Sequence, residues 1–177
     1  MIFTETVLGG AYVVELERIE DERGFFARAW CTNELAAHGL STRLAQCSVS
    51  FNRRKGTLRG IHYQAAPNQE AKAVRCTRGA LYDVIIDLRP ASPTFRRWVA
   101  VELTAENRKM VYVPEGFAHG FQTLEDDTEI FYMISTAYAP ESARGVRWDD
   151  PAFGIDWPPA EPRIMAERDR TYPDFTC

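Results

Sequence analysis

The stretch VPEGFAHGF, residues 113–121, breaks at Pro114 and Gly116 and then runs into a segment of aromatic and small residues that holds His119. Proline and glycine are the strongest local punctuation a chain has, and the adjoining GFAHGFQTL (116–124) reads as a strand. Working outward, the same kind of segment recurs. Upstream lie AYVVELE (11–17), GFFARAW (24–30), GTLRGIHYQ (56–64), AKAVRCT (71–77), ALYDVIIDLR (80–89), RWVAVELT (97–104) and RKMVYVP (108–114); downstream lies TEIFYMIS (128–135). Turn-formers separate them: RG at 78–79, TAEN at 104–107 and EDD at 125–127. Many short β-branched and aromatic runs at regular spacing predict an all-β sandwich or barrel.

Helix is scarce. NELAAHG (33–39) predicts one short helix, with Asn33 as its N-cap and Gly39 as its stop, and Ala166 to Arg170 suit a single helical turn. From about residue 140 the chain is rich in proline and charge. A length of 177 residues at 45% hydrophobic supports a sizeable core. The expectation is therefore one domain over 1–177, with the tail from about 140 packing on it.

A net charge of −4 argues against a general nucleic-acid surface, since phosphate binding requires clustered cations. MIFTETVLGG has no basic start followed by a long apolar run, and no stretch approaches the roughly 20 apolar residues of a membrane helix. The expectation is a soluble, cytoplasmic protein with no membrane partner. Cys31, Cys47, Cys76 and Cys177 form no C-x-x-C pair and read as reduced thiols, three of them buried.

The chemistry rests on three histidines. His38, at the end of the short helix, reads as a surface residue, while His62 and His119 lie in strand-like surroundings. Pro114, Gly116 and His119 fit the P-x-G-x-x-H pattern of the second cupin motif, which resembles a jelly-roll barrel with a pocket. A cupin metal centre would take two histidines and a carboxylate from the first motif. Here that segment offers His62, Gln64 and Glu70, and an amide is a poor substitute for imidazole, so no metal site is expected.

Without a metal, His62 has Arg59, Lys72, Asp83, Tyr132 and Asp169 as ionisable neighbours to consider. Taken singly, Tyr132 reads as a packing aromatic and Lys72 as a strand residue with its stem buried. Taken together, a histidine base, a tyrosine acid and cations are what proton abstraction beside a carbonyl requires. Asp83 and Asp87 alternate with Tyr82, Val84 and Ile86, so they share one strand face, and Asp83 is a candidate support for the pocket. Arg59 and His62 are three apart and would point to opposite faces of a regular strand, so for both to reach one pocket Gly60 must sit at a bulge or kink.

DERGFF, GTLRGIHYQ, RGALYDVIIDLRPASPTF, VPEGFAHGFQTL, FYMISTAYAPE and GVRWDDPAFGIDWP, in this order, closely resemble the dTDP-4-dehydrorhamnose 3,5-epimerase family, from about Asp21 to about Asp169. The resemblance implies a cupin jelly roll with a short helical C-terminal tail. It also implies an isomerase that needs no cofactor and inverts C3, C5 or both of a nucleotide-linked 4-keto-6-deoxy sugar. It gives His62 as the general base, Asp169 as its partner, Tyr132 as the acid on the opposite face and Lys72 as the group that steadies the enolate. Arg59, His119, Arg23, Phe26, Arg28, Gln64, Tyr138 and Arg168 become substrate contacts. It further implies a homodimer in which Arg23 reaches the neighbour's pocket. A metal-dependent cupin enzyme and a non-catalytic sugar-binding cupin are the alternatives.

The chain departs from the family pattern at four places. Arg28 stands where a glutamate is usual, Cys47 and Val49 where the family has Gln-x-Asn, Ala143 in place of a glutamate and Arg168 in place of a lysine. These changes predict a weaker preference for dTDP, or a different base.

Overall fold

The computed structural model describes residues 1–176. In chain order the first half gives β1 (Ile2–Glu5), β2 (Tyr12–Glu15), β3 (Arg18–Asp21), β4 (Gly24–Ala27), α1 (Thr32–Ala37), β5 (Gln46–Asn52), β6 (Leu58–Gln64) and β7 (Lys72–Arg78). The second gives β8 (Ala80–Asp87), β9 (Trp98–Thr104), β10 (Met110–Val113), β11 (Phe117–Thr123), β12 (Thr128–Ile134), β13 (Ala143–Gly145) and α2 (Glu167–Arg170). One sheet has the order β1-β2-β10-β7-β12-β5, and the facing one β13-β6-β11-β8-β9. Neighbouring strands within both run antiparallel.

Alternation along the strands builds three packed layers. Val74, Leu81, Ile85, Val111, Phe121 and Ile130 meet between the sheets. Each is at most 2% exposed, and burying such a side chain contributes on the order of 2 kcal/mol. The opposite face of the five-stranded sheet, with Leu58, Ile61, Val84 and Ile86, is covered by Val146, Phe153 and Trp157 of the tail. Outside the six-stranded sheet, Leu35 of α1 packs on Val14, Ala73 and Met133. A strand buried on both faces explains why ALYDVIID is almost continuously hydrophobic.

Three local details differ from the sequence reading. The N-cap of α1 is Cys31, without a side-chain cap, because the buried Leu35 donates its N–H to the Cys31 carbonyl and starts the helix before Asn33. Of the cysteines, Cys76 is buried, Cys31 half-buried and Cys47 exposed on the outward face of β5; Cys177 lies outside the described residues. Within GFFARAW only Gly24–Ala27 is strand, and it pairs with β3 as a separate hairpin that belongs to neither sheet. Ile19 and Phe26 on that hairpin are 68% and 72% exposed.

The ladder between β6 and β11 is irregular where it matters most. His119 opposes His62 and Phe121 opposes Arg59, so two residues of β6, Gly60 and Ile61, face the single Gly120. This is a β-bulge, and it turns both Arg59 and His62 toward the same cavity. Gly60 has φ +130°, and a Cβ there would lie 2.6 Å from the Cα of Gly120, so the bulge accepts only glycine.

Candidate active site

Between the sheets lies a cavity of about 630 Å³. The five-stranded sheet contributes Arg59, His62 and His119; the six-stranded sheet contributes Lys72, Tyr132, Gln46, Ser48 and Ser50; Tyr138 and the turn carrying Arg168 and Asp169 complete the wall. The imidazole of His62 and the phenol of Tyr132 thus come from opposing sheets and bracket the space between them.

His62 Nε2 donates to Asp169 Oδ1 at 2.7 Å, and the second carboxylate oxygen accepts the backbone N–H of Gly60 at 3.2 Å. Asp169 is 2% exposed. Burial alone would raise its pKa, but the hydrogen bond and charge of His62 and the Gly60 N–H outweigh it and hold the carboxyl below its ordinary value. An acceptor at Nε2 fixes the proton there and leaves a lone pair on Nδ1.

A second imidazole–carboxylate pair sits deeper. His119 Nε2 donates to Asp83 Oδ1 at 2.7 Å, while Asp83 Oδ2 has no hydrogen-bond partner among the described residues. Tyr132 lies edge-on to His119, with ring centroids 6.2 Å apart. Burial pushes its phenol well above the usual tyrosine range and Asp83 adds to this, with Arg59 opposing. Lys72 Nζ donates to Glu70 Oε1 at 2.7 Å, an ion pair that is nearly buried. Arg59 Nε donates to Asn52 Oδ1, also at 2.7 Å, which fixes its guanidinium at the mouth.

Four of the expected residues are not on the wall. Gln64 is buried, and its amide is occupied: Nε2 donates to the carbonyls of Asn68 and Ala137, and Oε1 accepts the N–H of Ala139. It therefore props up the loop that presents Tyr138 and does not line the cavity. Arg23, Phe26 and Arg28 stand on or beside the exposed hairpin, away from this chain's own cavity; Arg23 pairs with Asp21 and Arg28 with Glu34. Of the departures, Arg168 borders the cavity and Val49 touches its rim while standing 61% exposed on the outward face of β5, whereas Cys47 and Ala143 lie off it.

Sequence reasoning missed Gln46, Ser48 and Ser50. Their signal is the alternation of QCSVSFN, in which the polar residues turn inward and Cys47, Val49 and Phe51 outward. Among the described residues no group of three or more His, Cys, Asp or Glu is arranged to hold a metal ion. The donors fit one poorly, since each pocket imidazole already bonds a carboxylate through Nε2.

The model of the dTDP-4-dehydrorhamnose 3,5-epimerase family matches residues 5–176. The chain belongs to the dTDP-4-dehydrorhamnose 3,5-epimerase family. A dTDP-4-dehydrorhamnose 3,5-epimerase of Sinorhizobium fredii is 39% identical over 175 residues, covering 99% of this chain and 90% of the relative. The crystal structure of the Elizabethkingia anophelis dTDP-4-dehydrorhamnose 3,5-epimerase superposes with a TM-score of 0.95 at 36% identity, covering 99% of this chain and 96% of that one. That of the Bacillus anthracis dTDP-4-dehydrorhamnose 3,5-epimerase, with TDP and PPi bound, gives 0.93 at 37% identity, covering 98% and 99%. The two-sheet sandwich is thus the cupin-like jelly roll of the dTDP-4-dehydrorhamnose 3,5-epimerase family, and the chain is an isomerase of that family. No helix among the described residues is long and apolar enough to cross a membrane.

Proposed function

We propose that the protein inverts C3, C5 or both of a nucleotide-linked 4-keto-6-deoxyhexose in deoxysugar biosynthesis. The observation that carries this reading is the placement of a carboxylate-held imidazole and a high-pKa phenol on opposing walls of one cavity. The 4-keto group acidifies the protons on C3 and C5. His62, with its lone pair on Nδ1, removes one of them, and the negative charge moves onto the carbonyl oxygen. Lys72 and Arg59 stabilise that oxygen as the charge develops. Tyr132 delivers a proton to the opposite face, which inverts the centre, and Asp169 stabilises the imidazolium formed at His62. His119, Tyr138 and Arg168 hold the substrate. A phenol kept fully protonated by burial suits a donor that must not ionise before the enolate forms.

The hairpin residues Arg23, Phe26 and Arg28 act in the pocket of a second copy, so the working unit is a homodimer. The exposed Ile19, Phe26, Val49 and Phe51 offer the apolar surface that such an association covers.

The test is incubation in deuterated water with dTDP-, CDP-, GDP- and UDP-linked 4-keto sugars. Mass gain counts the exchanged carbons and names the accepted nucleotide. His62→Ala is expected to lower exchange by about 10² to 10⁴. Near-normal exchange in that variant would remove His62 as the base, and binding without exchange in the unaltered protein would make it a sugar-binding module.

A further inference from the structure

Tyr172 lies two residues beyond α2 and outside the set of groups that handle the proton or the substrate. Its ring centroid is 6.2 Å from that of His62, with the planes at 70°. Under the ring lies Gly145, the residue of β13 directly opposite His62 of β6. A Cβ built on Gly145 would fall 2.2 Å from Cε2 and Cζ of Tyr172 and 2.7 Å from Oη. The ring therefore fills the space that any other residue at 145 would need, and only the bare glycine backbone lets it lie there.

This seat matters because α2 is a weak scaffold. It has four residues, and its N-cap, Ala166, offers no side-chain cap. A helix so short does not hold its own shape in water. Yet it carries Asp169, whose oxygens must stay within hydrogen-bonding distance of His62 and Gly60. Tyr172 follows Asp169 by three residues and is half-buried, and its phenol is pushed up by burial, with the Arg168 guanidinium opposing.

We propose that Tyr172 is a positioning residue: its ring, seated on Gly145, latches the tail so that Asp169 holds the Nε2 proton of His62, and shields the edge of that imidazole from water. The proposal rests on the reading of His62 as the base. It assigns the ring, and not the hydroxyl, as the working part.

Three single variants, one double variant and one spectrum test it. Tyr172→Phe keeps the ring and is expected to keep the parent kcat. Tyr172→Ala is expected to lower kcat about 10- to 100-fold, the scale of a small misplacement of a reacting group, with KM changed less than about twofold. Gly145→Ala expels the ring while leaving the tail sequence intact and reproduces that loss; the double variant is no slower than either single one, because both remove the same latch. Should Tyr172→Ala fail to fold, Gly145→Ala carries the same test. In nitrogen-15 spectra of labelled histidine, the His62 Nε2 proton is expected to exchange with water faster in Tyr172→Ala and Gly145→Ala than in the parent.

Parent-like kcat and proton exchange in both variants would overturn the latch. So would a Tyr172→Phe variant as slow as Tyr172→Ala, which would put the hydroxyl in the chemistry, or a rise confined to KM, which would make the ring a substrate contact. If the parent inverts no 4-keto sugar while the His62 proton still loosens in the variants, the latch stands and the epimerase reading falls.

Discussion

Replacing Asp169 by asparagine separates the charge of the carboxylate from its shape. The side chain is 2% exposed and accepts two hydrogen bonds, from His62 Nε2 at 2.7 Å and from the Gly60 N–H at 3.2 Å. An asparagine has one oxygen and one NH₂ to offer in their place. With the oxygen toward His62, the NH₂ faces the Gly60 N–H, donor against donor, which costs about 1–3 kcal/mol in a buried site. Flipped, the amide satisfies Gly60 and donates to Nε2, but the imidazole proton must then sit on Nδ1, where the base needs its lone pair. The flipped state is favoured by that same 1–3 kcal/mol, so the competent tautomer is reduced about 5- to 150-fold at 1.4 kcal/mol per decade. Loss of the charge that stabilises the imidazolium adds to this, for a total fall in kcat of about 10³ to 10⁴, the scale seen when a His–carboxylate pair is neutralised in other enzymes. Because the flipped amide leaves neither contact unpaired, the melting temperature should stay close to that of the parent. Deuterium uptake into substrate and thermal unfolding, measured on one preparation, check both halves. A variant that folds normally and exchanges at the parental rate would show that Asp169 does not set the tautomer.

Three further outcomes are expected. Tyr132→Phe should still wash deuterium into the substrate, since His62 can return a proton to the face it came from, but inversion should fall by about 10² to 10⁴; chiral analysis of the product against mass gain reads the difference, and unimpaired inversion would assign the acid elsewhere. Burial pushes the Asp87 carboxyl up, but Arg89, Ser92 and Thr94 overcome it and hold it at about 2 against an unfolded value near 3.8, so its stabilisation is complete above about pH 4 and is lost as pH falls through about 2. That shift is worth about 2 kcal/mol, and Asp87→Asn should flatten the acid limb of a stability–pH curve by that amount; an unchanged limb would discount the cluster. In a competition of dTDP-, CDP- and GDP-linked forms of one 4-keto sugar, Arg28 acting in the pocket of a second copy leads to weak discrimination in kcat/KM, and strong preference for dTDP would make this substitution neutral.

Much of the sandwich was legible because its strands are buried on one or both faces and declare themselves by β-branched and aromatic runs. β5 was not, since its alternation is inverted: Ser48 and Ser50 turn to a polar cavity while Val49 and Phe51 face outward. β13 spans three residues in a tail of proline and charge, too short for any periodicity. The bulge at Gly60 could be inferred once Arg59 and His62 were both assigned to one pocket, as no regular strand points residues three apart the same way. Pairing of His62 with Asp169 across 107 positions has no local signature, and only the family resemblance brought them together. Gln64 misled because alternation puts it on the face of His62, whereas a buried amide goes to the nearest unpaired backbone groups, here those of Asn68, Ala137 and Ala139. The family resemblance made Tyr138 a substrate contact, but neither it nor the local sequence gave Tyr172 a part.

The distance between His62 and Asp169 along the chain also orders events during synthesis. His119 and Asp83 lie on neighbouring strands and emerge within 36 residues of each other, but the partner of His62 comes 107 residues after it. At about 5–20 residues per second the imidazole waits roughly 5–20 s for its carboxylate while strand after strand forms around it. A nascent chain that stalls anywhere between β13 and residue 169 can already carry every strand from β1 to β13, yet His62, the proposed base, has no fixed proton. Such aborted products would be catalytically silent, and activity would report that translation had passed the turn carrying Asp169.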